Sequence, residues 1–160
     1  SCTVGRRFAR RGRRLSSCAP MTILRASPIT TAPFRHGLRV YWEDTDAGGV
    51  VFYANYLKFF ERARTEWLRA FGVEQQELRE RTGAIFVVTD TSLRYLRPAR
   101  LDDLLQITVE IDELRPASMR LKQAALRGDD VLCTGDIRIG CVDADSFRPR
   151  RMPIAMDPRP

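Results

Sequence analysis

The sequence has one histidine in 160 residues, His36, and its scarcity removes most familiar hydrolytic equipment. A Ser-His-Asp triad would have to use that one imidazole, and no serine stands in a G-x-S-x-G turn. There is no P-loop and no G-x-G-x-x-G, so a nucleotide-phosphate cradle is not indicated. No apolar run approaches the roughly 20 residues needed to span a bilayer. Cysteines number four: Cys2, Cys18, Cys133 and Cys141. The last two share one strand-like run. Eight residues of extended strand cover about 27 Å, whereas disulfide Cα atoms lie within about 7 Å, so these two do not bridge each other. They read as buried small hydrophobes in a reducing compartment. With no close cysteine pair and a lone histidine, no metal or cofactor is expected. His36 reads as an ordinary residue at a strand entrance.

Acidic residues are missing from one place. Residues 1–20 hold six arginines and no acid, so the formal net charge of +7 leaves only +1 for residues 21–160. A basic leader on a nearly neutral domain is not a nucleic-acid-binding face, and no nucleic-acid partner is expected. Residues 1–33 show no hydrophobic periodicity and are expected to be a disordered leader. An organellar transit peptide and a basic tail touching anionic surfaces are alternatives for it. The favoured reading starts the natural chain at Met21.

The remainder is patterned. Leu38–Trp42 alternates and predicts a first strand. Glu43–Gly49 is turn chemistry, with three acids and paired glycines. From about Tyr53 to Phe71, apolar residues Tyr56, Phe59, Phe60, Ala63, Trp67 and Ala70 recur at three- and four-residue spacing, predicting an amphipathic helix. Arg62, Arg64 and Arg69, with Glu61 and Glu66, are assigned to its solvated face. Gly72 is placed to end the helix. A short helical piece follows over 74–81, ending at Gly83. Then come four strand-like runs: Ile85–Leu96, Leu105–Ile111, Met119–Arg127 and Val131–Val142. A turn at 98–103 and a Gly128-Asp-Asp hairpin signal separate them. One strand, one long helix and four strands make an α+β chain with a five-stranded antiparallel sheet wrapped around the helix. The domain is expected to span 34–152, with an irregular tail over 153–160.

The chemistry concentrates ahead of the long helix. Glu43, Asp44 and Asp46 are all eligible carboxylates. They precede a helix start whose first N–H groups lack intrahelical partners and can polarise a carbonyl. Gly48 and Gly49 let a ligand approach the backbone. A carboxylate beside such a helix end suffices for ester or thioester hydrolysis, through a general base or a nucleophile.

The run E-D-T-D-A-G-G-V-V-F-Y-A-N-Y (Glu43–Tyr56), followed by F-F-E-R-A-R-T-E-W-L, resembles the hot-dog-fold acyl-CoA thioesterases. The similarity covers about residues 36–152, including Tyr95-Leu-Arg-Pro-Ala99 and Leu101-Asp-Asp-Leu104. The nearest branch is the YbgC-like group associated with the Tol–Pal system, itself similar to 4-hydroxybenzoyl-CoA thioesterase. The resemblance implies hydrolysis of a short-chain or aromatic acyl-CoA, with Asp46 as the catalytic carboxylate and the Tyr53 backbone N–H on the thioester carbonyl. It places Gly48, Gly49, Val50 and Asn55 against the substrate. Some YbgC-like members carry histidine where this chain has Tyr53, so no side-chain imidazole is expected to act here. Glu61 is the alternative acid, since another hot-dog branch carries its carboxylate on the central helix. The implied assembly is a homo-oligomer, a dimer or a tetramer of hot-dog dimers, with sites at the subunit boundary. An acyl carrier protein is a further partner, the implied location is cytoplasmic, and membrane association is peripheral at most. The competing expectation is a non-catalytic acyl-CoA or acyl-carrier binding module, or a scaffold at the inner membrane surface.

Overall fold

The computed structural model describes residues 24–25 and 32–155. The arginine-rich segment 1–20 lies outside the described residues. In chain order the elements are β1 (Leu24–Arg25), β2 (Phe34–Arg39), a 3-10 turn (Trp42–Asp44), α1 (Asn55–Ala70) and α2 (Gln75–Thr82). There follow β3 (Ala84–Tyr95), β4 (Leu104–Arg115), β5 (Ser118–Arg127), β6 (Asp130–Asp143) and β7 (Ile154–Ala155). Five strands form one antiparallel sheet, as the sequence pattern predicts, and their order across it is β2-β4-β5-β6-β3. Among the described residues, no helix is long and apolar enough to cross a membrane.

Alternation along the strands decides which face meets the helix. Ile107, Val109, Leu121, Ala125, Cys133, Ile137 and Ile139 are buried and share one core with Tyr56, Phe59, Phe60, Ala63 and Trp67 of α1. Phe59 and Phe60 are fully buried, and each such side chain contributes about 1.5–3 kcal/mol relative to exposure. Gly135 makes room for this packing: a Cβ there would lie 2.6 Å from the Phe60 ring. At the far end of α1, Gly72 adopts φ 75°. The Gly72 and Val73 N–H groups donate to the Arg69 and Leu68 carbonyls at 2.8 and 3.0 Å, closing the helix where expected.

Four expectations are corrected. The first strand is Phe34–Arg39 rather than Leu38–Trp42, because Tyr41–Asp44 folds into a turn. The Asp44 N–H donates to the Tyr41 carbonyl at 3.0 Å, and the Tyr41 N–H donates to the Asp44 carboxylate at 2.9 Å. Leu24–Arg25, expected within an unstructured leader, pairs in parallel with Ile154–Ala155 of the expected irregular tail. Ala70, assigned to the apolar stripe, is exposed. Arg64, assigned to the solvated face, is only 8% exposed. It donates to Gln123 Oε1 at 2.8 Å and to Glu61 Oε2 at 2.7 Å. Gln123 in turn donates to the Phe60 carbonyl at 3.1 Å. Burial pulls the Arg64 guanidinium below its ordinary pKa, against the opposing pull of Glu61.

Cys133 and Cys141 are both buried and free on β6. Burial pushes the Cys133 thiol up to about 11, so it is inert as a nucleophile at neutral pH.

Candidate active site

The acidic turn is a tight loop bridged at its neck. Thr45 and Val51 form an antiparallel bridge. Inside it the Asp46 N–H donates to the Val50 carbonyl and the Gly49 N–H to the Asp46 carbonyl, each at 2.9 Å. Gly49 takes φ 73°, a left-handed conformation that costs glycine nothing. The Gly48 N–H donates to Asp46 Oδ1 at 2.8 Å.

The loop is laced to the start of α1. The Asp44 carbonyl accepts the Phe52 N–H at 2.9 Å and the Asn55 side-chain amide at 2.9 Å. Asp46 directly follows Thr45 of the bridged pair, and Tyr53 lies two residues beyond Val51.

The three acids separate by environment. Asp44 is 4% exposed, and its carboxylate holds the Tyr41 N–H. Glu43 is exposed on the 3-10 turn. Asp46 is exposed, with one oxygen fixed by Gly48 and no partner for the other among the described residues. Glu61 has both oxygens engaged, Oε2 by Arg64 and Oε1 by the Thr65 hydroxyl at 2.9 Å.

The start of α1 is uncapped: Ala54, in the N-cap position, provides no side-chain bond. The Asn55 N–H donates to the Phe52 carbonyl at 2.8 Å. The Tyr53 and Ala54 N–H groups find no acceptor among the described residues. Two adjacent peptide groups thus present free donors at the positive end of the helix dipole, the property required to polarise a carbonyl.

Of the other expected substrate contacts, Gly48, Gly49 and Val50 lie in the loop beside Asp46. Asn55 is buried, and one N–H of its side-chain amide donates to the Asp44 carbonyl. Tyr95 and Ala99 carry no assigned role in the sequence reading, yet both join this neighbourhood. The Tyr95 hydroxyl donates to the Tyr53 carbonyl at 3.0 Å. The Ala99 N–H donates to the Tyr56 hydroxyl at 3.2 Å, and the Ala99 carbonyl accepts the Val51 N–H at 2.9 Å. Forty residues of intervening chain hide such contacts from local periodicity.

Three comparisons bear on this geometry. The sequence model of the Thioesterase-like superfamily matches residues 40–158. The acyl-CoA thioesterase YbgC of Haemophilus influenzae is 42% identical over 120 residues, covering 75% of this chain and 88% of that protein. The acyl-CoA thioester hydrolase YbgC of Escherichia coli O6:H1 is 43% identical over 126 residues, covering 78% and 93%. In structure, a probable thioesterase from Bartonella henselae superposes with a TM-score of 0.71 at 36% identity. That match covers 76% of this chain and 99% of the other.

Proposed function

The chain belongs to the thioesterase-like superfamily, and from that premise we propose that it hydrolyses short-chain or aromatic acyl-CoA thioesters, with Asp46 as the carboxylate and the Tyr53 N–H as the carbonyl-polarising donor. The observation that carries this reading is the lacing of an exposed carboxylate loop to an uncapped helix start with free N–H groups. Asp44 is buried and Glu61 has both oxygens engaged, whereas Asp46 is exposed with one oxygen free.

Asp46 acts in one of two ways. As a general base it takes a proton from water, whose oxygen adds to the thioester carbon while the carbonyl π electrons move onto oxygen. Collapse of this adduct breaks the C–S bond, expels CoA thiolate and leaves the acid, and the proton held by Asp46 passes to the thiolate. As a nucleophile its Oδ adds instead; the C–S bond breaks to give CoA thiolate and a mixed anhydride, which water cleaves to the acid and the free Asp46 carboxylate. In both routes the oxyanion accepts a hydrogen bond from the Tyr53 N–H. A preorganised donor of this kind is worth about 3–4 kcal/mol of barrier.

Self-association is part of the proposal. β3 is an edge strand of the sheet, and an edge of twelve residues has unpaired backbone groups along one side. Its last residue, Tyr95, touches Tyr53. Pairing of two copies along β3 would bring a second chain to the border of the site.

A panel of acyl-CoAs of varied length and aromaticity, read by thiol release, tests the function. Release from some members of the panel is expected. Binding of acyl-CoA without release across the whole panel would leave a binding module instead. One turnover in 18O-labelled water with excess enzyme gives a positive sign of the nucleophile role: label in the Asp46 carboxylate marks an anhydride cleaved at its Asp46 carbonyl.

A further inference from the structure

We propose that Tyr95 is a positioning residue, one that orients and strengthens the Ala54 N–H, so that this second free backbone donor at the start of α1 acts beside the Tyr53 N–H on the thioester oxygen. The inference rests on the function proposed above, and it adds a residue from a distant strand to that site.

The two peptide groups that present free N–H groups are built alike. In the Phe52–Tyr53 peptide, the carbonyl accepts the Asn55 N–H at 2.8 Å and the Tyr53 N–H is free. In the Tyr53–Ala54 peptide, the carbonyl accepts the Tyr95 hydroxyl at 3.0 Å and the Ala54 N–H is free. A hydrogen bond accepted at a peptide carbonyl draws electron density toward oxygen and makes the N–H of the same group a better donor. It also fixes the peptide plane, and so the direction of that N–H. The first carbonyl is held by the helix itself. The second is held by a side chain at the end of β3, 42 residues away.

The Tyr95 ring is itself fixed. It meets Tyr53 edge-on, with centroids 6.4 Å apart at 86°, and Tyr56 at 5.6 Å and 64°. Tyr56 is buried in the core, and its hydroxyl accepts the Ala99 N–H four residues beyond Tyr95. Although the Tyr95 ring is half exposed, partial burial first, then Cys133 and Tyr53 nearby, push its phenol above its ordinary pKa, so it stays a donor across the neutral range. The hydroxyl is therefore aimed by packing that the phenylalanine variant would keep.

Tyr95→Phe keeps the ring contacts and deletes only the donated bond. With an acyl-CoA that wild type hydrolyses, kcat is expected to fall about three- to tenfold with KM unchanged, short of the roughly 10²–10³-fold loss that follows removal of an oxyanion donor. Site-specific 3,5-difluorotyrosine at position 95, measured below its phenol pKa, donates more strongly and is expected to restore or exceed wild-type kcat. Wild-type kcat in Tyr95→Phe, or a change confined to KM, overturns the inference while leaving the hydrolase reading intact. An inactive wild type would sink the hydrolase reading instead. In that case NMR still decides on Tyr95, because the Tyr53 carbonyl carbon and Ala54 amide shifts must move in Tyr95→Phe. Unchanged shifts there overturn it independently of turnover.

Discussion

The Gly48 N–H donates to Asp46 Oδ1 at 2.8 Å, and a Cβ on residue 48 would lie 3.0 Å from that same oxygen. The turn thus holds one carboxylate oxygen with its own backbone and leaves the other exposed, in a space that only glycine leaves open. The relationship converts a flexible surface aspartate into a carboxylate of defined direction.

Asp46→Asn keeps Oδ1 as an acceptor, so the Gly48 bond and the loop survive the change. The side chain is exposed, and stability should alter by no more than about 0.5 kcal/mol. Turnover should fall about 10²–10⁴-fold, the usual contribution of a positioned acid–base group. Thermal melts and thiol-release kinetics on one preparation check both halves. Wild-type-like hydrolysis would remove Asp46 from the mechanism.

Gly48→Ala approaches the same carboxylate from the other side. Its methyl group would crowd Oδ1 at a separation tighter than ordinary contact, so the carboxylate has to shift by a few tenths of an ångström. A displacement of about 1 Å costs roughly 10²-fold in rate, so this smaller one should cost about three- to tenfold in kcat. Stability should hardly change, because residue 48 is exposed. A kcat equal to wild type would mean that the position of Oδ1 does not govern the rate.

Asn55→Ala tests the lacing rather than the carboxylate. The amide donates to the Asp44 carbonyl inside the protein, and that carbonyl keeps only the Phe52 N–H when the amide is gone. Losing a buried hydrogen bond of this kind costs about 1–2 kcal/mol. Midpoint in urea and kcat should fall together, since the bond joins the acid loop to the helix start. Asn55→Asp should not rescue either quantity, because an ionised carboxylate offers no donor to the carbonyl. If kcat falls with no loss of stability, Asn55 contacts substrate directly, as the sequence reading expects.

Much of this arrangement is legible in the sequence, and the boundary of legibility has a physical cause. The 3.6-residue period of Tyr56, Phe59, Phe60, Ala63 and Trp67 reports local geometry, so α1 is found to within two residues at its start. The four later strands follow from period-two alternation and turn residues in the same way. Leu38–Trp42 misleads because alternation continues past the point where Asp44 folds the chain back on Tyr41. Arg64 misleads for a different reason. Its burial depends on Gln123, 59 residues away, whose side chain offers the guanidinium an acceptor inside the fold. Tyr95 and Asn55 belong to the same class, since their roles are set by backbone carbonyls that no spacing rule addresses. Asp46, by contrast, is reached by resemblance, and the structure adds that Asp44 is buried and Glu61 is engaged on both oxygens.

Asp103 gives the fold a predictable response to acid. Burial alone would raise its pKa, but the Arg100 N–H at 2.8 Å and the Arg127 guanidinium at 2.8 Å outweigh it and hold the carboxyl below the usual range. The same turn is stapled to the chain just ahead of the acidic loop, for the Val40 N–H donates to the Asp103 carbonyl at 2.9 Å. A carboxyl whose folded pKa lies below its unfolded value, about 3.9, binds protons more readily when unfolded. Its stabilisation is therefore complete at pH values above the unfolded pKa, and it is lost as pH falls through the folded one. Arg127 is partly exposed, so solvent screening keeps the contribution small. Urea midpoints of wild type and Asp103→Asn, measured from pH 7 downward, should differ most at neutral pH and converge once both carboxyl states are protonated. A difference that stays constant across the whole range would show that Asp103 acts by packing, with no part played by its charge.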